Sequence, residues 1–488
     1  MSPRPFALPP SAPARHTALG ARALRPRWLA CGLLLIGLAG CAAPPLPALR
    51  PSVPAQWQQG ADMPAAPPTD LHGWWHAFGD PRLDRLVDQA LTRNLDVAQA
   101  LEHLRAARAL HQRADERFLP ELHAKTEDAI DPDASASFFV AGFDAVWELD
   151  LFGRGTAVRR TSRGELAGAS ADLRATQVSL VAEVVRNWLE LRAAQQQQHW
   201  LSQIRDARRE QCRMLAVRKH LQLASTLDLA QAQAALAQAE ADLSEPREHV
   251  AASAQQLAVL LGRSEPDPAW LADAPPPTLG HWHLAQAPAD LLRSRPEIAH
   301  AQAEVLRAAG AAGLARADRY PHLALGGSLV WSTNLTTHRR TDDNALASLG
   351  PIIDIPLFDW GMRAAQAHAS EHELKASVLA YRQAVLQGVA EVETALARLH
   401  EQAQYERHCA EALRALTQAD AVLAQRVALK LAGPAERTQS TIARDQAQLA
   451  LAQARTRRGL AFVALYKALG GAPLPPSDDT SALAQGHR

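Results

Sequence analysis

The sequence predicts an α+β membrane protein with mostly long α-helices and four transmembrane β-strands per chain. Three observations predict this fold class. The stretch 138–155 carries an apolar residue at every second position, as in a strand with one apolar face. Shortly after it, Ala169 to Glu245 is a run of 77 residues without Gly or Pro, which favours very long helices. The same order of patterns returns in the second half of the chain.

Residues 1–40 are predicted to be a lipoprotein signal peptide. Three arginines between residues 22 and 27 precede an apolar stretch, 29–39, that is too short to span a bilayer. The stretch ends in Leu38-Ala39-Gly40-Cys41, which resembles the lipobox of bacterial lipoproteins, so cleavage before Cys41 would leave its thiol to carry lipid. The alternative is an ordinary signal peptide with an incidental Cys. Ala42 follows instead of Asp, and the bacterial sorting rule then implies the outer membrane.

Charge and cysteine usage exclude two other classes. Residues 1–40 contain five of the 51 basic side chains and none of the acidic ones, so the rest of the chain is mildly acidic. It has no basic block or basic face interleaved with aromatic residues, so no nucleic-acid partner is predicted. Cys212 and Cys409 both lie in helical stretches, which does not indicate a disulfide framework.

The first half reads as one structural repeat, 73–262, after a lipidated extended tether, 41–72, that is rich in Pro and Ala with an isolated Trp57. Asp80 and Pro81 predict the start of a helix that runs to about Phe118. A strand pair, 121–152, follows, with a first strand from Glu121 to Ala129 and a turn at Asp131-Pro132-Asp133. A long helix is predicted from Gly155 to Leu221, and Ser225 with Asp228 fits a capping box that starts another helix.

The second half repeats this order. A Pro-rich linker, 263–288, separates the first repeat from a second, 289–471, with its own strand pair at 321–358. Pro120 recurs as Pro321, and Leu151-Phe152 recurs as Leu357-Phe358. The tail, 472–488, is predicted to be disordered.

Four amphipathic strands of this length match membrane-spanning β-strands. Four strands cannot close a barrel and open edges are not tolerated in lipid, so several chains must contribute, and three chains give twelve strands. The alternative is a soluble sandwich with a buried apolar face. In a membrane barrel, charge on a lipid-facing position is costly, so Lys125, Glu127 and Asp128 must face the lumen or lie outside the bilayer. The lumen-facing candidates are Asp144, Glu148 and Asp150. The lipid-facing candidates are Phe139, Phe143, Trp147, Leu323, Leu325, Trp331, Ile353 and Ile355.

Beyond these patterns, the chain resembles the TolC-type outer membrane factors, and most closely their lipoprotein branch, the NodT/OprM-like efflux family. The resemblance covers about residues 70–471. The motifs that carry it are Trp75 through Phe78-Gly79-Asp80-Pro81, Trp147-Glu148-Leu149-Asp150-Leu151-Phe152-Gly153-Arg154, Arg295-Pro296-Glu297-Ile298, Gly350-Pro351, Pro356-Leu357-Phe358-Asp359 and Leu465-Tyr466-Lys467-Ala468-Leu469-Gly470-Gly471.

This resemblance implies a homotrimer in the outer membrane, with a twelve-stranded β-barrel on a helical barrel that crosses the periplasm. It implies a passive exit duct for small molecules that docks a periplasmic adaptor and an inner-membrane pump of the RND type or a related class. Outer membrane lipid is the remaining partner, and no cofactor is implied. The alternative function is a pore-less periplasmic adaptor or coiled-coil scaffold lipoprotein.

The two helix-turn-helix tips are expected to form the periplasmic end. The predicted docking residues at the tips are Leu223, Ala224, Ser225, Asp228, Gly433, Pro434, Glu436 and Arg437. Gln222 stands where the family usually has Gly. Thr438, Ile442 and Asp445 are the gate candidates by position in the family, although Thr438 and Ile442 reverse its usual apolar-then-acidic order. The charges at the second tip, Lys430, Glu436, Arg437 and Asp445, either form inter-chain ion pairs or are solvated helix-end charges.

No constellation for catalysis is recognisable in the sequence. It contains no nucleophile elbow, phosphate loop or paired-Cys metal site. His281-Trp282-His283 is the nearest approach to a metal pair, but no Cys or carboxylate ligands lie close to it in the sequence. The chain is therefore predicted not to be an enzyme, and a lipid-anchored hydrolase is disfavoured.

Overall fold

A computed structural model describes residues 45–50, 53–58, 69–129, 138–284, 287–334 and 344–473. The predicted signal peptide, Cys41, most of the tail and the predicted turn at 131–133 lie outside these residues.

The elements follow the predicted order twice. The first half contains α1 (Pro81–Arg93), α2 (Leu95–Gln112), β1 (Glu121–Ala129), β2 (Phe138–Glu148), α3 (Arg154–His220), α4 (Thr226–Ala241) and α5 (Ser244–Leu260). The second half contains α6 (Pro268–Leu271), α7 (Leu291–Ser294), α8 (Pro296–Ala317), β3 (His322–Asn334), β4 (Asn344–Asp354), α9 (Met362–Ala428) and α10 (Pro434–Ala468). Short 3-10 helices span Trp74–Phe78, Glu116–Phe118 and Pro288–Asp290.

The helix predicted to run from Pro81 to about Phe118 is instead two helices, α1 and α2. Asn94 interrupts it because its side chain accepts hydrogen bonds from the backbone N–H groups of Asp96 and Val97, at 2.9 and 3.1 Å. The same amide donates to the Leu260 carbonyl at 3.0 Å, which joins the break to the end of α5. An N-cap inside a helical pattern therefore divides the helix.

Two helices of 67 residues each, α3 and α9, dominate the molecule. At 1.5 Å per residue each is about 100 Å long. They pack beside α8 and α10 over much of this length. The main core lies where these helices meet the Trp74–Phe78 segment, and the Trp74 ring stacks on Tyr466 with 5.6 Å between centroids. Burial raises the pKa of the Tyr466 hydroxyl to about 12.

The four strands form one antiparallel sheet in the order β1-β2-β3-β4. Phe143 lies opposite Ala124 of β1 and Leu329 of β3, and Leu325 lies opposite Pro351 of β4. The two predicted strand pairs are therefore not separate, because β2 and β3 join them. The first strand begins and ends where the sequence predicts, at Glu121 and Ala129.

The tether before the first repeat and the start of the tail pack more closely against the rest of the chain than the sequence predicts. Trp57, predicted to be isolated in the tether, is 9% exposed and belongs to the main core cluster. Thr69 donates its backbone N–H to the His283 carbonyl at 3.0 Å, so the tether also pairs with the Pro-rich linker. Ala472, predicted to begin the disordered tail, is fully buried.

Among the described residues, no helix combines the length and the apolar character needed to cross a membrane.

Candidate channel surfaces

The sheet has two faces of different chemistry. The Trp147 face consists of the odd-numbered residues of β2 and β3 and their partners, and its exposed members include Phe143, Trp147 and Trp331, which are 53%, 39% and 55% exposed. The Glu148 face carries Asp144 and Glu148. Leu325 and Ile353 share the Trp147 face and are also exposed, while Phe139 and Leu323 are half-buried there. The Trp147 face thus carries the large aromatic side chains, and the Glu148 face combines the carboxylates with exposed Val146, Leu346 and Ile352.

The charged side chains of Lys125 and Glu127 on β1 share one face. Lys125 lies on the Glu148 face, and its ammonium is 2.8 Å from the Asp144 carboxylate of β2. Glu127 registers on the same face, opposite Val140. Asp128 is the exception, because its backbone pairs with Phe139 in the register of the Trp147 face, one residue from the end of β1.

Below the sheet, β2 and β4 each pass into a long helix through an aspartate. The strand pattern predicts Asp150 on the acidic face, but β2 ends at Glu148 and Asp150 instead accepts the backbone N–H of Gly155 at 2.7 Å in the first turn of α3. Asp359 does the same for α9, accepting from Gly361 and Arg363, each at 3.0 Å. The strand β4 ends at Asp354, so Ile355, predicted to be a lipid-facing strand residue, also lies beyond its strand. Its side chain is 53% exposed. Both carboxylates satisfy free N–H groups at a helix start.

The far ends of the long helices form two tips with the same backbone geometry. Gln222 and Lys430 have φ angles of 56° and 58°, in the left-handed region. The residue after each donates its N–H to a carbonyl five residues back, Leu223 to Arg218 and Leu431 to Arg426, both at 2.8 Å. This is a helix-ending motif in which Gly is usual at the left-handed position.

The first tip carries the capping box that the sequence predicts. The Ser225 hydroxyl accepts the backbone N–H of Asp228 at 3.0 Å, and the Asp228 carboxylate accepts the N–H of Ser225 at 2.9 Å. These hydrogen bonds lower the pKa of Asp228 below its usual value. Leu223 is 65% exposed beside half-buried Ala224, so the turn presents an apolar side chain held by a polar cap.

The second tip places only some of the predicted residues on the surface. Gly433 donates its backbone N–H to the Glu436 carboxylate at 3.1 Å, and Pro434 begins α10. Thr438 is half-buried, with its hydroxyl donating to the Pro434 carbonyl at 3.2 Å. Between the tips lies a groove of about 510 Å³, bounded by Arg213, Met214, Val217, Arg218, Gly433, Pro434 and Ala435.

Ile442 does not lie on a free mouth surface, contrary to its prediction as a gate residue. It is fully buried within the chain, where it packs with Leu201, Ile204 and Leu243 in a small cluster. The reason is its position on the side of α10 that packs against α3. An apolar residue at this position contributes to the chain's own core.

The charges at the second tip pair within the chain. Arg444 contacts the carboxylates of Asp420 and Asp445 at 2.9 and 2.8 Å, and Arg437 lies 3.3 Å from Asp420. Both aspartates are 3% exposed. Arg437, considered as an inter-chain partner from the sequence, instead joins α10 to Asp420 of α9, while Asp445 pairs with its neighbour Arg444 on α10. Asp420 was not identified from the sequence.

The sequence also matches the model of a known family. The family described as outer membrane efflux protein matches residues 86–263 and 287–471, which is more than half of the chain. The chain belongs to the outer membrane efflux protein family. The prediction of the family and of an outer membrane location is thereby confirmed, and efflux protein is favoured over adaptor or scaffold lipoprotein.

Similarity to individual proteins supports this family assignment. The chain is 30% identical over 464 residues to the pyoverdine export outer membrane protein OpmQ of Pseudomonas aeruginosa, covering 90% of this chain and 95% of the relative. It is 27% identical to nodulation protein T of Rhizobium leguminosarum bv. viciae, covering 75% of this chain and 77% of the relative.

Solved structures share the fold of this efflux protein. The outer-membrane channel OprN superposes with a TM-score of 0.77 at 26% identity, covering 88% of this chain and 99% of that one. The open state of the Neisseria gonorrhoeae MtrE outer membrane channel has a TM-score of 0.73 at 24% identity, covering 88% of this chain and 98% of that one. The predicted α+β channel fold is confirmed.

The family is one of efflux proteins and not of enzymes. Within the described residues, no group of three or more His, Cys, Asp or Glu side chains is placed to hold a metal ion. His281 and His283 flank Trp282, whose ring packs edge-on against Phe462 at 5.5 Å, so this segment serves the core.

Proposed function

We propose that this efflux protein is a passive, trimeric exit duct for small molecules, anchored by lipid on Cys41. The observation that carries the proposal is a four-stranded sheet with both edges open, attached to helices of about 100 Å. An open edge leaves a row of unpaired backbone groups, and in lipid each such group costs several kcal/mol. Three sheets that join edge to edge satisfy these groups in a closed twelve-stranded barrel.

The two sheet faces support the orientation of such a barrel. Phe143, Trp147 and Trp331 share one face and suit lipid, while Asp144 and Glu148 share the other and suit a water-filled lumen. The pairing of Lys125 with Asp144 neutralises a charge on the lumen side. The lower ends of α3 and α9 then point away from the membrane into the periplasm.

The tips are the docking surface for a periplasmic adaptor, which links the duct to an inner-membrane pump of the RND type or a related class. The exposed leucines 223 and 431, each 65% exposed, stand on rigid capped turns. Apolar side chains held on a preorganised turn lose little conformational entropy when a partner binds.

Electron microscopy of detergent-extracted protein, together with its native mass, tests the duct. We expect three copies per particle and an elongated shape with a threefold axis. Purified single copies or particles without a central channel would contradict the proposal.

A further inference from the structure

A cleft lies where the helices α3, α9 and α10 meet the Pro-rich linker between the two halves of the chain. Its volume is about 330 Å³, which is within the range of sites for small organic ligands. The wall that α10 contributes is one helical stripe, formed by Ala452, Arg455, Thr456 and Gly459. The small residues at both ends of this stripe leave the space that the cleft occupies.

One side of the cleft is apolar. The backbone N–H of Gly280 donates to the Ala77 carbonyl at 3.0 Å, so the linker lies beside the short helix that ends at Phe78. Phe78, Leu189 and the linker prolines line this side together. A Cβ at Gly459 would contact both Leu189 and Phe78 at 3.4 Å, so the glycine widens the cleft beside these two side chains.

The charged side of the cleft carries two arginines and one carboxylate. One carboxylate oxygen of Glu406 lies 3.4 Å from the Arg455 Nε, and the other lies 3.0 Å from an Arg458 terminal nitrogen. The Arg455 side chain is 53% exposed, and it makes no hydrogen bond to any residue that the structure describes. Buried Nε of Arg458 also has no hydrogen-bond partner among the described residues. The lining therefore has an excess of positive charge and unused guanidinium donors.

We propose that this cleft binds a small organic carboxylate, with its apolar body against Phe78, Leu189 and the linker prolines. The planar guanidinium of Arg455 suits a carboxylate because two of its N–H groups can donate to the two oxygens in parallel. The inference does not depend on the proposed duct, because all the residues of the cleft belong to one chain.

Neutral polar groups in the cleft can fix the orientation of such a ligand. Gln196 of α3 is half-buried and lines the cleft, and its amide makes no hydrogen bond within the described part of the chain. The Thr456 hydroxyl donates to the Ala452 carbonyl at 3.1 Å, so its oxygen is left as an acceptor. A few polar groups on a largely apolar lining are typical of small-molecule sites.

Occupancy should join the two halves of the chain. Phe78 and Leu189 belong to the first repeat, whereas Glu406 and Arg455 belong to the second. A ligand that binds the folded protein and not the unfolded chain stabilises the fold by mass action. We therefore expect benzoate to raise the unfolding temperature of the native protein in proportion to its occupancy.

Fluorine NMR of the detergent-solubilised protein tests the site with para-fluorobenzoate as the probe. We expect line broadening that exceeds that in empty micelles, saturates, and is reversed by unlabelled benzoate. Arg455→Gln should weaken binding about tenfold, because it removes hydrogen bonds to a charged group. The matched control is Arg457→Gln, which makes the same charge change at an exposed position of α10 outside the cleft and should leave the affinity unchanged.

Two further probes and one further variant separate the parts of the proposal. Fluoroacetate lacks the ring and para-fluorobenzamide lacks the charge, so each should bind about tenfold more weakly than para-fluorobenzoate. Arg455→Lys keeps the charge without the planar fork and should weaken binding less than Arg455→Gln does.

The outcomes that overturn the proposal are distinct. The absence of saturable para-fluorobenzoate binding to the native protein overturns the site. Native affinity in both Arg455 variants, with unchanged helix content by circular dichroism, overturns its location. Equal binding of para-fluorobenzamide overturns the carboxylate, and equal binding of fluoroacetate overturns the apolar side. None of these readouts changes if the protein fails to conduct, so failure of the duct is distinguishable from failure of the site.

Discussion

Gln222 and Lys430 hold the same left-handed conformation at the two helical tips, with φ angles of 56° and 58°. A non-glycine residue pays roughly 1–2 kcal/mol in this conformation. Both tips accept that cost at equivalent positions, so the turn geometry is imposed by the flanking helix ends and by the caps at Ser225 and Glu436.

Replacing these residues by glycine should stabilise the tips. Gln222→Gly removes the Cβ conflict, so local opening should become less favourable by roughly 1 kcal/mol. Hydrogen–deuterium exchange of tip peptides measures this as slower exchange. Gln233→Gly, in the middle of α4, is the matched control and should cost about 1 kcal/mol. Faster exchange in Gln222→Gly would show that the side chain stabilises the turn.

The capping box at the first tip should respond to acid. The folded state lowers the pKa of Asp228 from its usual 3.8, so the stabilisation is fully present above that value and is lost as the pH falls through the lower folded pKa. Amide protection at the first tip should therefore be constant above pH 4 and fall below it. Asp228→Asn should remove this dependence, and Asp242→Asn at the end of α4 should retain it. A midpoint above pH 4 would contradict the cause.

The ion-pair cluster between α9 and α10 should stabilise the second tip. Asp420→Asn leaves Arg437 without its buried carboxylate partner and leaves Arg444 with Asp445 alone. These arginines are about one-third exposed, so the cost should be about 2 kcal/mol, as for hydrogen bonds to charged groups, and not that of a fully buried pair. Exchange of 415–445 peptides should accelerate, while Asp88→Asn on α1 should leave it unchanged. Unchanged exchange in Asp420→Asn would mean that the cluster contributes nothing.

The two faces of the sheet should tolerate charge differently. Phe143→Asp should prevent trimer insertion, because a charge on a lipid-facing position costs several kcal/mol at mid-bilayer. Asp144→Asn should leave assembly intact, although it removes the partner of Lys125. The amount of heat-dissociable trimer in the outer membrane fraction measures the effect of both substitutions. The opposite result would show that the faces are inverted.

Lipid attachment should depend on Cys41 alone. Cys41→Ala should abolish incorporation of labelled palmitate, whereas Cys31→Ala, within the predicted signal peptide, should retain it. Both residues lie outside the described part of the chain. Labelled Cys41→Ala protein would show that lipid is attached elsewhere, and unlabelled native protein would restore the alternative of an ordinary signal peptide.

Local patterns were sufficient for most elements. The strand Glu121–Ala129 and the capping box of Ser225 and Asp228 follow from residues close in sequence. Alternation failed at Asp150, because the same apolar rhythm continues to Leu151 while the carboxylate already caps a helix. A strand pattern alone does not show that Asp150 is needed as a hydrogen-bond acceptor at the start of the following helix.

Contacts between distant segments were not predictable in the same way. Asp420 is one acid within a helix of 67 residues, and its role depends on Arg444 of another helix. Ile442 occupies a family gate position by sequence, but its side chain faces α3. Trp57 stands alone among prolines and alanines, so its packing in the core depends on a fold that those neighbours do not reveal.

Conductance of purified protein in planar lipid bilayers tests the central claim most directly. The account predicts stable conductance steps from inserted trimers. Asp144→Asn leaves the Lys125 ammonium without its partner on the same face of the sheet, so it should shift the ion preference towards anions without abolishing the steps. Trimers that insert but conduct under no condition would contradict the duct.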